Sequence, residues 1–230
     1  MAAGRDIEIV VADDAEAAAV AVALRLAAAA RAGGHVVLTG GTTPKRAYEL
    51  AAEIEQDWTG VELWWGDERC APADNPLSNY NMARVALIDR VAGKPSAVHR
   101  MRGELGRDEG ALLYEQELGA LEQFDFVLLG LGPDGHVASL YPDQPTLAVA
   151  DRKAIGAEAK LQPWVDRITL TLPMLCASGT VLFLVAGEDK ADAAQRAFAG
   201  EPSLSTPGSL VRAAKGKTVA VLDAAAASKL

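Results

Sequence analysis

The chain predicts an α/β fold: an open, mostly parallel sheet with helices on both faces. Apolar, β-branched runs recur at 7–11, 35–39, 61–65, 124–129, 181–185 and 218–222. The run at 124–129 is nearly continuous, the pattern of a strand covered on both sides. Helical patterns lie between most of the runs, and strands alternating with helices join in parallel through right-handed crossovers.

The run at 7–11 is the first strand. Asp13 and Asp14 open the helix that follows, and Gly33-Gly34 closes it, because glycine takes the backbone conformation that ends a helix. The alanine-rich stretch 15–30 is interrupted by Glu16 and Arg25, so a soluble helix is expected there and not a bilayer span. The strand at 35–39 runs into Gly-Gly-Thr-Thr-Pro, with Pro44 in the first turn of the next helix. The strand at 61–65 ends on Gly66-Asp67-Glu68-Arg69. Further helices are expected over 78–91, 107–121 and 188–199, and loops rich in Pro, Ser or Asp over 70–76, 141–145 and 200–208. No internal repeat or long linker separates two cores. With 230 residues, 50% of them hydrophobic and 23% charged, the chain is expected to form one domain over 1–230.

A net charge of -9 disfavours nucleic acid and anionic membranes as main partners, so an anionic ligand must meet a local cluster of basic groups. The first residues lack a charged segment followed by an apolar one, which favours a cytoplasmic location. Only Cys70 and Cys176 are present, without CxxC or a His pair at metal-ligand spacing, so neither a disulfide framework nor a structural metal site is expected. Cys70 reads as a packing residue.

Three loops carry chemistry. The strand at 124–129 leads into Gly130-Leu131-Gly132-Pro133-Asp134-Gly135-His136, which puts a carboxylate and an imidazole at the carboxyl edge of the sheet. Open α/β sheets bind ligands at that edge, and imidazole alone has an unperturbed pKa suited to general-base work near neutrality. Gly40, Gly41, Thr42 and Thr43 form a phosphate cradle at a helix N-terminus, or simply a tight turn with a helix cap. Asp67, Glu68 and Arg69 concentrate charge at the same edge, either as an exposed ion-pair cluster or with Arg69 facing a developing oxyanion. Arg167 and Lys190 each follow the surface-charge pattern singly; with the Gly-Gly-Thr-Thr turn they make a site for one phosphate. His35 and His99 read as structural or ion-paired.

Taken in order, the blocks LTGGTTP (38–44), WWGDER (64–69), SNYNMA (78–83), HRMRGE (99–104), GLGPDGHVASLYP (130–142), RITLTLP (167–173) and AGEDK (186–190) resemble the 6-phosphogluconolactonase family of the glucosamine-6-phosphate deaminase and isomerase superfamily. The resemblance implies a Rossmann-like three-layer fold and hydrolysis of 6-phospho-D-glucono-1,5-lactone in the oxidative pentose phosphate pathway. It implies that Gly40, Gly41, Thr42, Thr43, Arg167 and Lys190 hold the sugar phosphate. His136 would be the general base, with Asp134 and Arg69 near the reacting carbon and either Asp134 or Asp67 orienting the imidazole or the water. No cofactor or metal is implied. The partner is a small phosphosugar lactone taken by a monomer or small homo-oligomer. Two departures stand out, Tyr141 where Phe is frequent and Arg102 where Pro is frequent. The related deaminases carry a glutamate a few residues after the histidine, in a segment that resembles HIAFNEP, whereas here Val137-Ala138-Ser139-Leu140-Tyr141-Pro142 follows, which favours lactone hydrolysis. A nicotinamide-binding reading of the G-x-G-x-x-G at 130–135 requires a helix after the last glycine, which Pro142 and Pro145 interrupt. A non-catalytic phosphosugar sensor would need an output surface, and none is apparent.

Overall fold

The computed structural model describes residues 7–230; the first six residues, on which the expectation of no leader sequence rests, lie outside them. Strands β1 (Ile7–Ala12), β2 (Gly34–Leu38) and β3 (Val61–Trp65) alternate with helices α1 (Ala15–Ala32) and α2 (Thr42–Ile54). After β3 come β4 (Asp67–Arg69), α3 (Asn79–Ala83), β5 (Ala97–Val98), α4 (Arg107–Leu118) and β6 (Phe124–Leu129). The remainder holds β7 (Ala154–Ala157), β8 (Arg167–Leu170), α5 (Leu172–Cys176), β9 (Ser178–Val185), α6 (Ala191–Ala194) and β10 (Lys217–Asp223).

Seven strands form one sheet in the order β1-β10-β9-β6-β2-β3-β5, and every pairing in it is parallel. Alternate residues of the strands feed two cores. Val37, Val127, Leu129 and Phe183 face one side, with Tyr114 of α4 and Ile168 of β8. Val36, Leu38, Leu128 and Leu182 face the other, with Ala23 and Leu26 of α1 and Tyr48 of α2. That two-sided burial is why the strands read as apolar runs.

Local chemistry ends the elements as expected. Asp14 caps α1 by accepting from the Ala17 amide at 2.8 Å, and Gly33 closes it at φ 75°. Pro44 sits in the first turn of α2, where a missing amide proton costs nothing.

Three expectations are corrected. The helix expected over 78–91 is α3 followed by a wider π-type turn at Arg84–Ile88. The helix expected over 188–199 is likewise a short 3₁₀ turn, α6 and a π-type turn. The helix expected over 107–121 stops at Leu118 because Gly119 takes φ 46°. The structure also contains an antiparallel ribbon, β4-β8-β7, beside the main sheet. No helix among the described residues is long and apolar enough to cross a membrane.

Candidate active site

The sheet reverses its winding between β2 and β6, which are neighbours at its centre. The loops leaving their carboxyl ends diverge there and open a crevice, the place where doubly wound sheets bind ligands. A cavity of about 470 Å³ fills it, lined by Gly40, Gly41, Thr42 and Thr43 after β2, by Gly130, Gly132 and His136 after β6, and by Ala186 and Lys190 after β9. The ribbon forms its remaining wall with Asp67, Arg69 and Arg167. Its volume suits one small ligand.

His136 is held by Asp134. The Asp134 carboxylate lies 2.6 Å from Nδ1 and also accepts the His136 amide at 3.1 Å. Partial burial pushes the Asp134 carboxyl up, but the hydrogen bond and charge of His136 outweigh it and hold the group below the usual carboxylate range. Occupation of Nδ1 fixes the ring's orientation and tautomer, leaving Nε2 as the basic nitrogen. Gly132 makes this seat possible, since a Cβ there would stand 2.0 Å from Nδ1. Asp134 itself stands behind the imidazole and is not among the cavity's lining residues.

Asp67, the alternative orienting carboxylate, lies elsewhere. It is 7% exposed and accepts from the Ser139 hydroxyl at 2.7 Å and the Asn79 amide at 3.2 Å. Its neighbour Glu68 is 2% exposed and so is no part of a surface ion-pair cluster. Glu68 accepts the backbone amides of Arg69, Asn79 and Tyr80 and the Ser78 hydroxyl, at 2.7 to 2.9 Å. Burial still raises this carboxyl, with those donors opposing the rise. It ties the start of α3 to the ribbon. Asn79 and Ser139 are site-building residues given no role by the sequence; the serine ahead of Asn79 in the SNYNMA block, a helix N-cap bonded to the Asn81 amide, was the available signal.

Arg69 and Arg167 are direct register partners across the β4–β8 ribbon. Like charges in that position repel, and both guanidiniums donate to main-chain carbonyls: Arg69 to Leu77 at 2.6 Å, Arg167 to Pro163 at 2.9 Å. The pair therefore presents concentrated positive charge to the cavity inside a chain of negative net charge. Lys190 lies 3.1 Å from Asp189 and faces the same space. On the opposite side the first amides of α2 lack intrahelical acceptors, Gly41 before them takes φ 117° with no side-chain cap, and residues 40–44 line the cavity.

The other histidines lie off the cavity. His99 stacks on Trp64 with centroids 3.7 Å apart and bonds Glu62 and Glu117 at 2.9 and 3.0 Å, while His35 Nδ1 accepts from the Trp64 indole at 3.1 Å. Burial pushes the Cys70 thiol up to about 11, which suits a packing residue. After Gly135 the chain makes a tight bridge between Val137 and Leu140 in place of a helix, so the dinucleotide-binding geometry is absent from this loop.

The family model described as glucosamine-6-phosphate isomerases/6-phosphogluconolactonase matches residues 11–220. The 6-phosphogluconolactonase of Streptomyces coelicolor is 39% identical, with 98% of this chain and 92% of that protein covered. That of Mycobacterium leprae is also 39% identical, covering 89% of this chain and 88% of the relative. The crystal structure of 6-phosphogluconolactonase from Thermotoga maritima superposes with a TM-score of 0.83 at 29% identity, covering 95% of this chain and all of that one. The chain belongs to the glucosamine-6-phosphate isomerase/6-phosphogluconolactonase family.

Proposed function

We propose that the chain, folded as one domain, hydrolyses 6-phospho-D-glucono-1,5-lactone to 6-phospho-D-gluconate in the oxidative pentose phosphate pathway. One observation carries the reading: a carboxylate-held imidazole and an anion-binding set open into one cavity. A single molecule with a phosphate at one end and an acyl carbon at the other would satisfy both.

The phosphate is gripped by the amides and hydroxyls of Gly40, Gly41, Thr42 and Thr43 with Arg167 and Lys190. Binding there supplies orientation at the distant carbonyl. His136 Nε2 takes a proton from water as its oxygen attacks C1, Asp134 stabilising the imidazolium that forms. Arg69 faces the developing oxyanion; one such donor contributes on the order of 3 kcal/mol. The imidazolium then returns the proton to the departing ring oxygen. Asp67, fixed by Ser139 and Asn79, offers an acceptor to a sugar hydroxyl or to the attacking water.

Ring opening and deamination of an amino-sugar phosphate is the competing reaction within the family. The segment 137–142 after His136 holds no carboxylate, whereas the relatives named above are lactonases. Freshly made 6-phosphogluconolactone and glucosamine 6-phosphate, offered separately, decide the matter: acid release from the first and no ammonia from the second is expected, and the reverse result would overturn the assignment.

A further inference from the structure

The Tyr141 phenol is a polar group that the scheme above leaves unused. The residue is 5% exposed and forms the wall between the active-site cavity and a neighbouring one. Its ring packs against the imidazole, with centroids 5.2 Å apart at 47°. Its hydroxyl lies on the side of Ser139, among the charges of Arg167, Asp67 and Arg69. Burial raises the phenol above its usual value, so it keeps its proton at neutral pH.

Ser139 spends its single proton on Asp67 Oδ2 at 2.7 Å, so it has none to give the phenol. No hydrogen bond engages the Tyr141 hydroxyl among the described residues, and the hydroxyl is left for a ligand in the cavity that the residue lines. A nearly buried hydroxyl facing a ligand discriminates strongly, because a ligand lacking the matching group strands it without water.

We propose that Tyr141 is a specificity-determining residue whose phenolic hydroxyl hydrogen-bonds one ring hydroxyl of the phosphorylated sugar lactone. The inference rests on the lactonase reading. It makes Tyr141 a reader of the sugar, separate from the base that activates the water and from the phosphate grip.

The test is Tyr141→Phe, which keeps the ring against His136 and removes only the hydroxyl. Steady-state rates are measured for wild type and variant on 6-phosphogluconolactone and on its 2-, 3- and 4-deoxy analogues. The parent lactone should lose roughly tenfold or more in kcat/KM, mainly through KM. On the one analogue lacking the hydroxyl that is read, wild type and variant should be equal. A variant within about twofold of wild type on the parent, or one losing the same factor on all three analogues, overturns the inference while leaving the lactonase reading intact. The wild type alone gives a second reading, since equal turnover of all three analogues also refutes it. A wild type that hydrolyses none of the four overturns both proposals.

Discussion

At the scale of single residues the structure separates carboxylates that look alike in sequence. Asp67 and Asp134 both stand close to glycines after apolar strands, yet only Asp134 touches the imidazole. The reason is local: the Gly132 amide bonds the His136 carbonyl at 2.9 Å and Gly135 takes φ 95°, folding the chain back so that residues 134 and 136 meet. The pairing has a consequence in acid. Because the Asp134 carboxyl is held below the usual range, the folded state binds its proton less readily than the unfolded one. The stability it supplies is therefore complete above the ordinary carboxylate pKa of about 4 and is lost as pH falls through the lower folded value. Wild type should lose more thermal stability than Asp134→Asn between about pH 5 and pH 3. Parallel melting curves over that range would count against the pairing.

At the scale of elements, the short ribbon matters as much as the main sheet. It was not legible in the sequence, because β4 is three residues long and β8 four, too brief for an alternating pattern to declare itself. That Arg69 and Arg167 face each other is a matter of strand register, which no local motif encodes. The split helices were hidden for a related reason: 78–91 keeps a helical spacing of apolar residues although the chain widens at Arg84–Ile88. Glu68 ties the ribbon to α3 through three donors, the Ser78 hydroxyl and the Asn79 and Tyr80 amides. Glu68→Gln replaces one accepting oxygen with a donor and should destabilise the fold by about 1–3 kcal/mol, read as a shift in the urea midpoint; an unchanged midpoint would show that the carboxylate is dispensable. Arg167→Ala and Lys190→Ala act at the cavity instead and should raise KM with kcat largely kept. Unchanged saturation curves would remove them from the phosphate site.

For the whole molecule, the strong signals were those repeated at every strand. Six of the seven strands of the main sheet lie within a few residues of the apolar runs, since burial on both faces writes itself into consecutive residues. The seventh, β5, has only two residues. The loops that bear the candidate site were also legible, because glycine, threonine, carboxylate and imidazole clustered where strands end. What could not be read was which side chains meet across the crevice, for instance that the Ser139 hydroxyl would bond Asp67. Those contacts depend on how the ribbon leans over the sheet edge.

The most direct measurement is the rate of acid release from freshly generated 6-phosphogluconolactone in a pH-stat, with spontaneous hydrolysis subtracted, for wild type and His136→Ala. Wild type should run far above the buffer rate, and the variant should lose about 10²- to 10⁴-fold in kcat with its melting temperature little changed. A correctly folded variant that turns over like wild type would contradict the account.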